Sequence, residues 1–438
     1  MTSTEDPGTD PSQGSERLEP GPLFSRVVRL DDGLDPLGEA GDDGFVWHSP
    51  GGALVGLGAA ARVPVGTGPG RVERAGETVA SLLEAAEVAD PDRTGLGPAA
   101  VGALPFHPAT PGELVVPALL LRTDPDGRTW AVLTEPAPFA PPGPGELVGR
   151  LRGSAADAPW PVARRLDSER SAGGSGLAGW RAAVRAALAA IGAGRLDKVV
   201  LAREAAVEAE RPFPRGEVLR RLRRRSGGST YLYASGGFVG ASPELLVRRR
   251  GRVATSRPMA GTVPRGDSAA AEADGLARLT GSPKEAVEHR LVVDAVAEGL
   301  AKVADRVEVG RPEVVRLATV AHLATEITAD LTGPLPSALE LAGLLHPTPA
   351  VGGSPRDAAL AVIAALEPFD RGRYAGPVGW VDRAGDGEWA VALRCAALQG
   401  RRAHLIAGAG IVPGSDPDAE WAETEHKLRA MLEVLLGP

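Results

Sequence analysis

The chain of 438 residues has one cysteine, Cys395, so an internal disulfide is excluded, and this usage fits a reducing compartment. Aromatic residues make up only 4% of it, and no run of 18 or more apolar residues occurs, so no membrane-spanning helix is expected. The opening Met1-Thr-Ser-Thr-Glu-Asp-Pro lacks the basic and apolar stretches of a signal peptide, and a soluble cytoplasmic protein is expected. Basic excess is missing too. The formal net charge is −8, which argues against a general nucleic-acid binder. The seven histidines form no H-E-x-x-H pair, Ser242 is outside any G-x-S-x-G elbow, and Gly408-Ala-Gly410 lacks the third glycine of a dinucleotide fingerprint.

What is present suffices for a large core: 43% of residues are apolar, with 57 glycines and 39 prolines punctuating them. Residues 1–22 are polar and aperiodic, as in a disordered tail. Strand–turn–strand patterns run over 45–58 and 114–135, and a helix is predicted over 75–90. A Pro/Gly loop at 136–145 and a polar connector at 152–175 follow. Helices are expected at 176–192, 216–225, 268–280, 283–303, 337–345, 355–366 and 417–435. Strands are expected from Lys198, between Thr230 and Ser256, and at 376–382, 388–398 and 402–408. This mixture of helices and hairpins predicts an α/β or α+β fold with mostly antiparallel sheet. The arginines at 220, 221, 223, 224 and 225 share their helix with Val218, Leu219 and Leu222, which reads as a solvated face opposite a buried one.

Carboxylates at helix spacing carry the chemical signal. Asp416-Pro417 caps and opens a helix on which Glu420 and Glu423 stand at i and i+3, with Lys427 at i+4 from Glu423. Ser282-Pro283 opens another, with Glu285 and Glu288 similarly spaced. Two carboxylate faces on separate helices could hold a hard cation such as magnesium, although glutamates in a first turn also stabilise a helix dipole by ~0.3–1 kcal/mol each. Glu244, in Gly240-Ala-Ser-Pro-Glu-Leu-Leu-Val, is either a solvated strand-end residue or a partly buried carboxyl with a raised pKa. Lys198 opens Lys-Val-Val-Leu-Ala-Arg and reads either as a snorkelling strand residue or as a base, for which its amine must be neutral.

From about 177 to 436 the sequence resembles the chorismate-binding enzymes, among which are isochorismate, salicylate, anthranilate and aminodeoxychorismate synthases. The likeness rests on Lys198-Val-Val-Leu-Ala-Arg, Ser242-Pro-Glu-Leu-Leu, Pro258-Met-Ala-Gly-Thr, Lys284-Glu-Ala-Val-Glu-His, His322-Leu-Ala-Thr, His346-Pro-Thr-Pro-Ala-Val-Gly-Gly, Glu367-Pro-Phe-Asp, Gly376-Pro-Val-Gly-Trp, Arg394-Cys-Ala and Ala407-Gly-Ala-Gly-Ile-Val, in family order.

The resemblance implies one large domain, two mainly antiparallel sheets flanked by helices around a central cleft, with 171–438 as catalytic core and 23–170 as a variable N-terminal portion. It implies that Lys198 activates water for attack at C2 of chorismate and that Glu244 protonates the departing C4 hydroxyl. Glu288 and Glu423 match magnesium ligands, with Glu420 near the ion. Gly261, Thr262, Ala350, Arg394, Gly408 and Lys427 match substrate-contacting positions. Members that use ammonia lack the lysine found here at 198, and Pro258-Met-Ala-Gly lacks the lysine of aminodeoxychorismate synthases. The expected activity is therefore magnesium-dependent formation of isochorismate, for siderophore or menaquinone synthesis, with salicylate synthase as the alternative. Chorismate is the expected partner, with neither nucleic acid nor membrane, and a monomer is expected over a dimer. Glu285 departs from the aspartate usual at its position.

Overall fold

The computed structural model describes residues 21–30, 44–152, 160–166, 176–225, 230–265, 268–317 and 320–437. Nearly all of the expected tail, and residues 153–159 and 167–175 of the expected connector, lie outside the described residues. Within the described residues, strands form three sheets of thirteen, nine and three members. Pairing is antiparallel except where Phe24–Arg29 meets Glu87–Ala89. Both large sheets draw on early and late segments. Phe45–Ser49 pairs Tyr231–Ser235 in the first, and Ala99–Ala103 pairs Pro377–Asp382 in the second.

The main core lies between those sheets around Trp47, Tyr233, Trp380 and Trp389, all under a tenth exposed. A second core seats helices Arg215–Arg225 and Pro417–Leu436 on the larger sheet through Val218, Leu222, Leu428 and Leu435. Removing apolar surface from water at ~25 cal/mol per Å² makes these layers the main source of stability. The arginine run is answered within the fold: Arg220, Arg221 and Arg224 donate to Glu217, and Arg225 to Glu433.

Several boundaries differ from the sequence reading. The first helix is Arg71–Glu84, and the segment after it becomes the short strand Glu87–Ala89. Pro144–Arg152 is helical where a loop ending at 145 is expected, with Pro144 at its start, where a missing N–H costs least. The predicted strand 388–398 is two strands in different sheets, Gly387–Val391 in the second and Cys395–Gln399 in the first. Between them Arg394 takes φ 51°, a left-handed conformation that ends the extended run. The strand predicted over 402–408 extends to Ile411 and so takes in both Gly408 and Gly410.

Candidate active site

The chain crosses between the two large sheets twice at one place. Pro243-Glu244 joins Phe238–Ser242 of the first sheet to Leu245–Arg250 of the second, and residues 392–394 make the reverse passage. The crossings hold each other: the Val391 N–H donates to Glu244 O, and the Ala241 N–H to Arg394 O. A cleft opens there, lined among others by Glu244, Gly261, Thr262, Ala350, Arg394 and Gly408, with Glu285, Glu288, Glu420, Glu423 and Lys427 around it.

Lys198 begins the strand Lys198–Ala209, fully buried, and its Nζ lies 2.8 Å from Glu288 Oε1. It stands behind Glu288 and the facing Gly410. A Cβ at Gly410 would sit 2.6 Å from Glu288 Oε1 and 3.0 Å from Lys198 Cε, so a larger residue there would push the pair out of its present place. Lys427 reaches across to Gly408 O at 2.9 Å and pairs with Glu423 at 2.5 Å.

The helices that carry the carboxylates begin as the sequence predicts. Asp416 accepts from the Asp418 and Ala419 N–H groups, and Ser282 from that of Glu285, each followed by a proline in the first turn. Glu285 lies against the bulge at Gly261, whose φ is +76° and whose hypothetical Cβ would be 2.8 Å from Glu285 Oε2.

Glu244 is 3% exposed, and burial raises its pKa to about 8 against the opposing pull of Lys198, the Met259 backbone N–H, Arg394 and Lys427. A carboxyl in that state holds a proton at neutral pH and can give it up.

His322 had no role assigned from sequence, yet it is central to the cleft. Its Nε2 lies 3.2 Å from Arg394 Nη2, and its Nδ1 3.0 Å from Gly261 O. A guanidinium can only donate, so Nε2 accepts and the ring proton is on Nδ1. The ring stays neutral, because burial first, then Arg394 and Lys427, lower its pKa to about 3. Tyr374 also borders the cleft, its hydroxyl held in the protonated form by burial that pushes its pKa to about 12.

A buried Glu367–Arg371 pair binds the walls together. Glu367 accepts from the Ala202 N–H, while Arg371 donates to Val200 O and to Val351 O, next to Ala350. Cys395, after Arg394, is buried, and its thiol is pushed up to about 12 by burial.

Among the described residues no three acidic, histidine or cysteine side chains are gathered at metal-ligand distances. The donor chemistry still suits a hard divalent cation: besides Glu244, four glutamates border the cleft, and lysines pair with Glu288 and Glu423.

The profile of the family described as chorismate binding enzyme matches residues 150–436. Isochorismate synthase DhbC of Bacillus subtilis is 35% identical over 402 residues, covering 89% of this chain and 93% of that protein. Isochorismate synthase EntC of Escherichia coli is 42% identical over 245 residues, 55% of this chain and 62% of its own. The solved structure of MenF, the menaquinone-specific isochorismate synthase from Escherichia coli, superposes with a TM-score of 0.77 at 28% identity, covering 95% of each chain. With its cleft at the sheet crossings and a profile match over most of its length, the chain belongs to the chorismate-binding enzyme family.

Proposed function

We propose that the chain converts chorismate to isochorismate, with water added at C2 and the C4 hydroxyl lost. The protonated, buried Glu244 carries this reading. Hydroxide is a poor leaving group, and a carboxyl with a pKa of about 8 keeps its proton until the C4–O bond breaks. Lys198 is the base: with its amine neutral, its own proton having passed to the paired Glu288 at 2.8 Å, it takes a proton from the attacking water. Water enters at C2 and a water molecule leaves from C4, so substrate and product are isomers.

Arg394, aligned by His322, and Lys427 supply cationic donors for the substrate carboxylates. Gly261, Thr262, Ala350 and Gly408 shape the wall against the ring. Glu288, Glu423 and Glu420 would hold a magnesium ion, which when bound supplies positive charge against a substrate carboxylate. The product serves siderophore or menaquinone synthesis.

Purified protein with chorismate and Mg²⁺, resolved by chromatography, tests the reading. Isochorismate in equilibrium with chorismate is expected, with loss of turnover in EDTA and recovery on adding Mg²⁺. Stoichiometric pyruvate with salicylate would replace the assignment by salicylate synthase, and full turnover in EDTA would remove the ion from it.

A further inference from the structure

Helix Pro417–Leu436 presents Glu420, Glu423 and Lys427 to the cleft, and besides the apolar residues that seat it on the larger sheet, polar contacts on the neighbouring stripe hold its rotation. At about 100° per residue, those three side chains fall within about 60° of the helix circumference, and Trp421, Thr424 and Glu425 occupy the adjoining sector. One side chain from another element touches all three. Arg203, five positions after Lys198 on the same strand and 7% exposed, lies with its guanidinium 3.7 Å from the centre of the Trp421 ring. It donates through Nε to Thr424 Oγ1 at 2.6 Å and through Nη2 to Glu425.

We propose that Arg203 is a positioning residue that sets the rotation of this helix, and through it the affinity of the Glu420–Glu423 face for a divalent cation. The inference rests on the function proposed above. A planar fork that stacks on a ring while donating from two nitrogens fixes orientation in a way a flexible ammonium cannot. The other holds differ. Trp180 donates to Pro417 O at 2.9 Å and meets the Trp421 ring edge-on with centres 6.2 Å apart, while the exposed Arg181 pairs with Asp418 in the first turn. Arg165 meets Glu425 alone of the three. Arg203 therefore ties the strand bearing Lys198 to the helix bearing Glu423 and Lys427 at the level of the site.

The test measures Mn²⁺ binding to the substrate-free protein by electron paramagnetic resonance, beside kinetics. Arg203→Met keeps the stem on Trp421 and removes the fork; Thr424→Val removes one acceptor at constant shape. Losing charged hydrogen bonds should weaken Mn²⁺ binding about tenfold in Arg203→Met and about threefold in Thr424→Val. Arg181→Ala should leave it unchanged, and kcat at saturating metal should stay within about threefold of the parent in all three. Unchanged Mn²⁺ affinity in folded Arg203→Met, or a fall in kcat with unaltered metal affinity, overturns the proposal. If Arg203→Met does not fold, Thr424→Val decides alone on the same criterion. Parent protein that makes no isochorismate defeats the functional reading; active parent with unshifted variants defeats only this inference.

Discussion

Two carboxylates buried to the same degree behave in opposite ways. Glu244 at the cleft is 3% exposed and Glu388 in the second sheet is 1% exposed. Glu388 accepts from Trp47 Nε1, Ser49 Oγ and Arg248 Nε within 2.9 Å, and from Arg250 at 3.4 Å. Burial pushes its pKa up, but Arg248, Trp47, Ser49 and Arg250 more than offset this, and it lies below the usual value. Around Glu244 burial outweighs the pull of Lys198, the Met259 backbone N–H, Arg394 and Lys427. Burial alone does not mark a functional carboxyl; how completely its charge is met by donors decides whether it is a structural anion or a proton source.

The largest expected contrast is catalytic. Glu244→Gln keeps the shape and removes the proton, so kcat should fall by at least ~10²-fold, with Lys198→Ala costing at least as much. Glu388→Gln should leave isochorismate formation unchanged by the same assay. A Glu388→Gln enzyme as damaged as Glu244→Gln would collapse the distinction.

Stability should show the reverse order. Glu388→Gln leaves Arg248 and Arg250 without their anion and should lower the unfolding free energy by about 2–3 kcal/mol in urea titrations. Glu244→Gln, a neutral amide for a neutral carboxyl, should cost less.

The comparison is sharpened further through pH. The Glu244 pKa is raised from 4.5 to about 8, so between those values the folded protein keeps a proton that the unfolded chain has released. Its contribution is fully present below pH 4.5 and is lost as pH rises through about 8, with a slope of up to ~1.4 kcal/mol per unit. Glu388, depressed when folded, contributes with the opposite sign, and its share disappears only in acid. Unfolding curves across this range should flatten in Glu244→Gln relative to the parent. Turnover of the parent should also decline above about pH 8 as the acid loses its proton.

Much of this was legible in the sequence wherever the signal was local. Ser282-Pro283 and Asp416-Pro417 announce their helices, and the glutamates follow at fixed spacing, so both carboxylate faces could be read directly. The strand predicted over 388–398 could not be divided correctly, because Leu393-Arg394 carries neither glycine nor proline and the break is imposed by the passage between sheets. His322 and its partner Arg394 stand 72 positions apart, and Arg371 contacts Val200 across 171. No periodicity encodes such pairings; only the folded sheets bring them together. The protonated state of Glu244 belongs to the same class, since it depends on what surrounds the crossing and not on the residues beside it in the chain.

The burial of Cys395 makes the native protein almost silent toward thiol reagents, because the thiolate is the reactive form and a pKa of about 12 keeps it scarce near neutrality. As it is the only cysteine in the chain, one introduced at Val287, which is 60% exposed and adjoins Glu288, would react alone. A fluorophore or spin label there could follow cation and substrate arrival at the cleft in real time, with no native cysteine first removed.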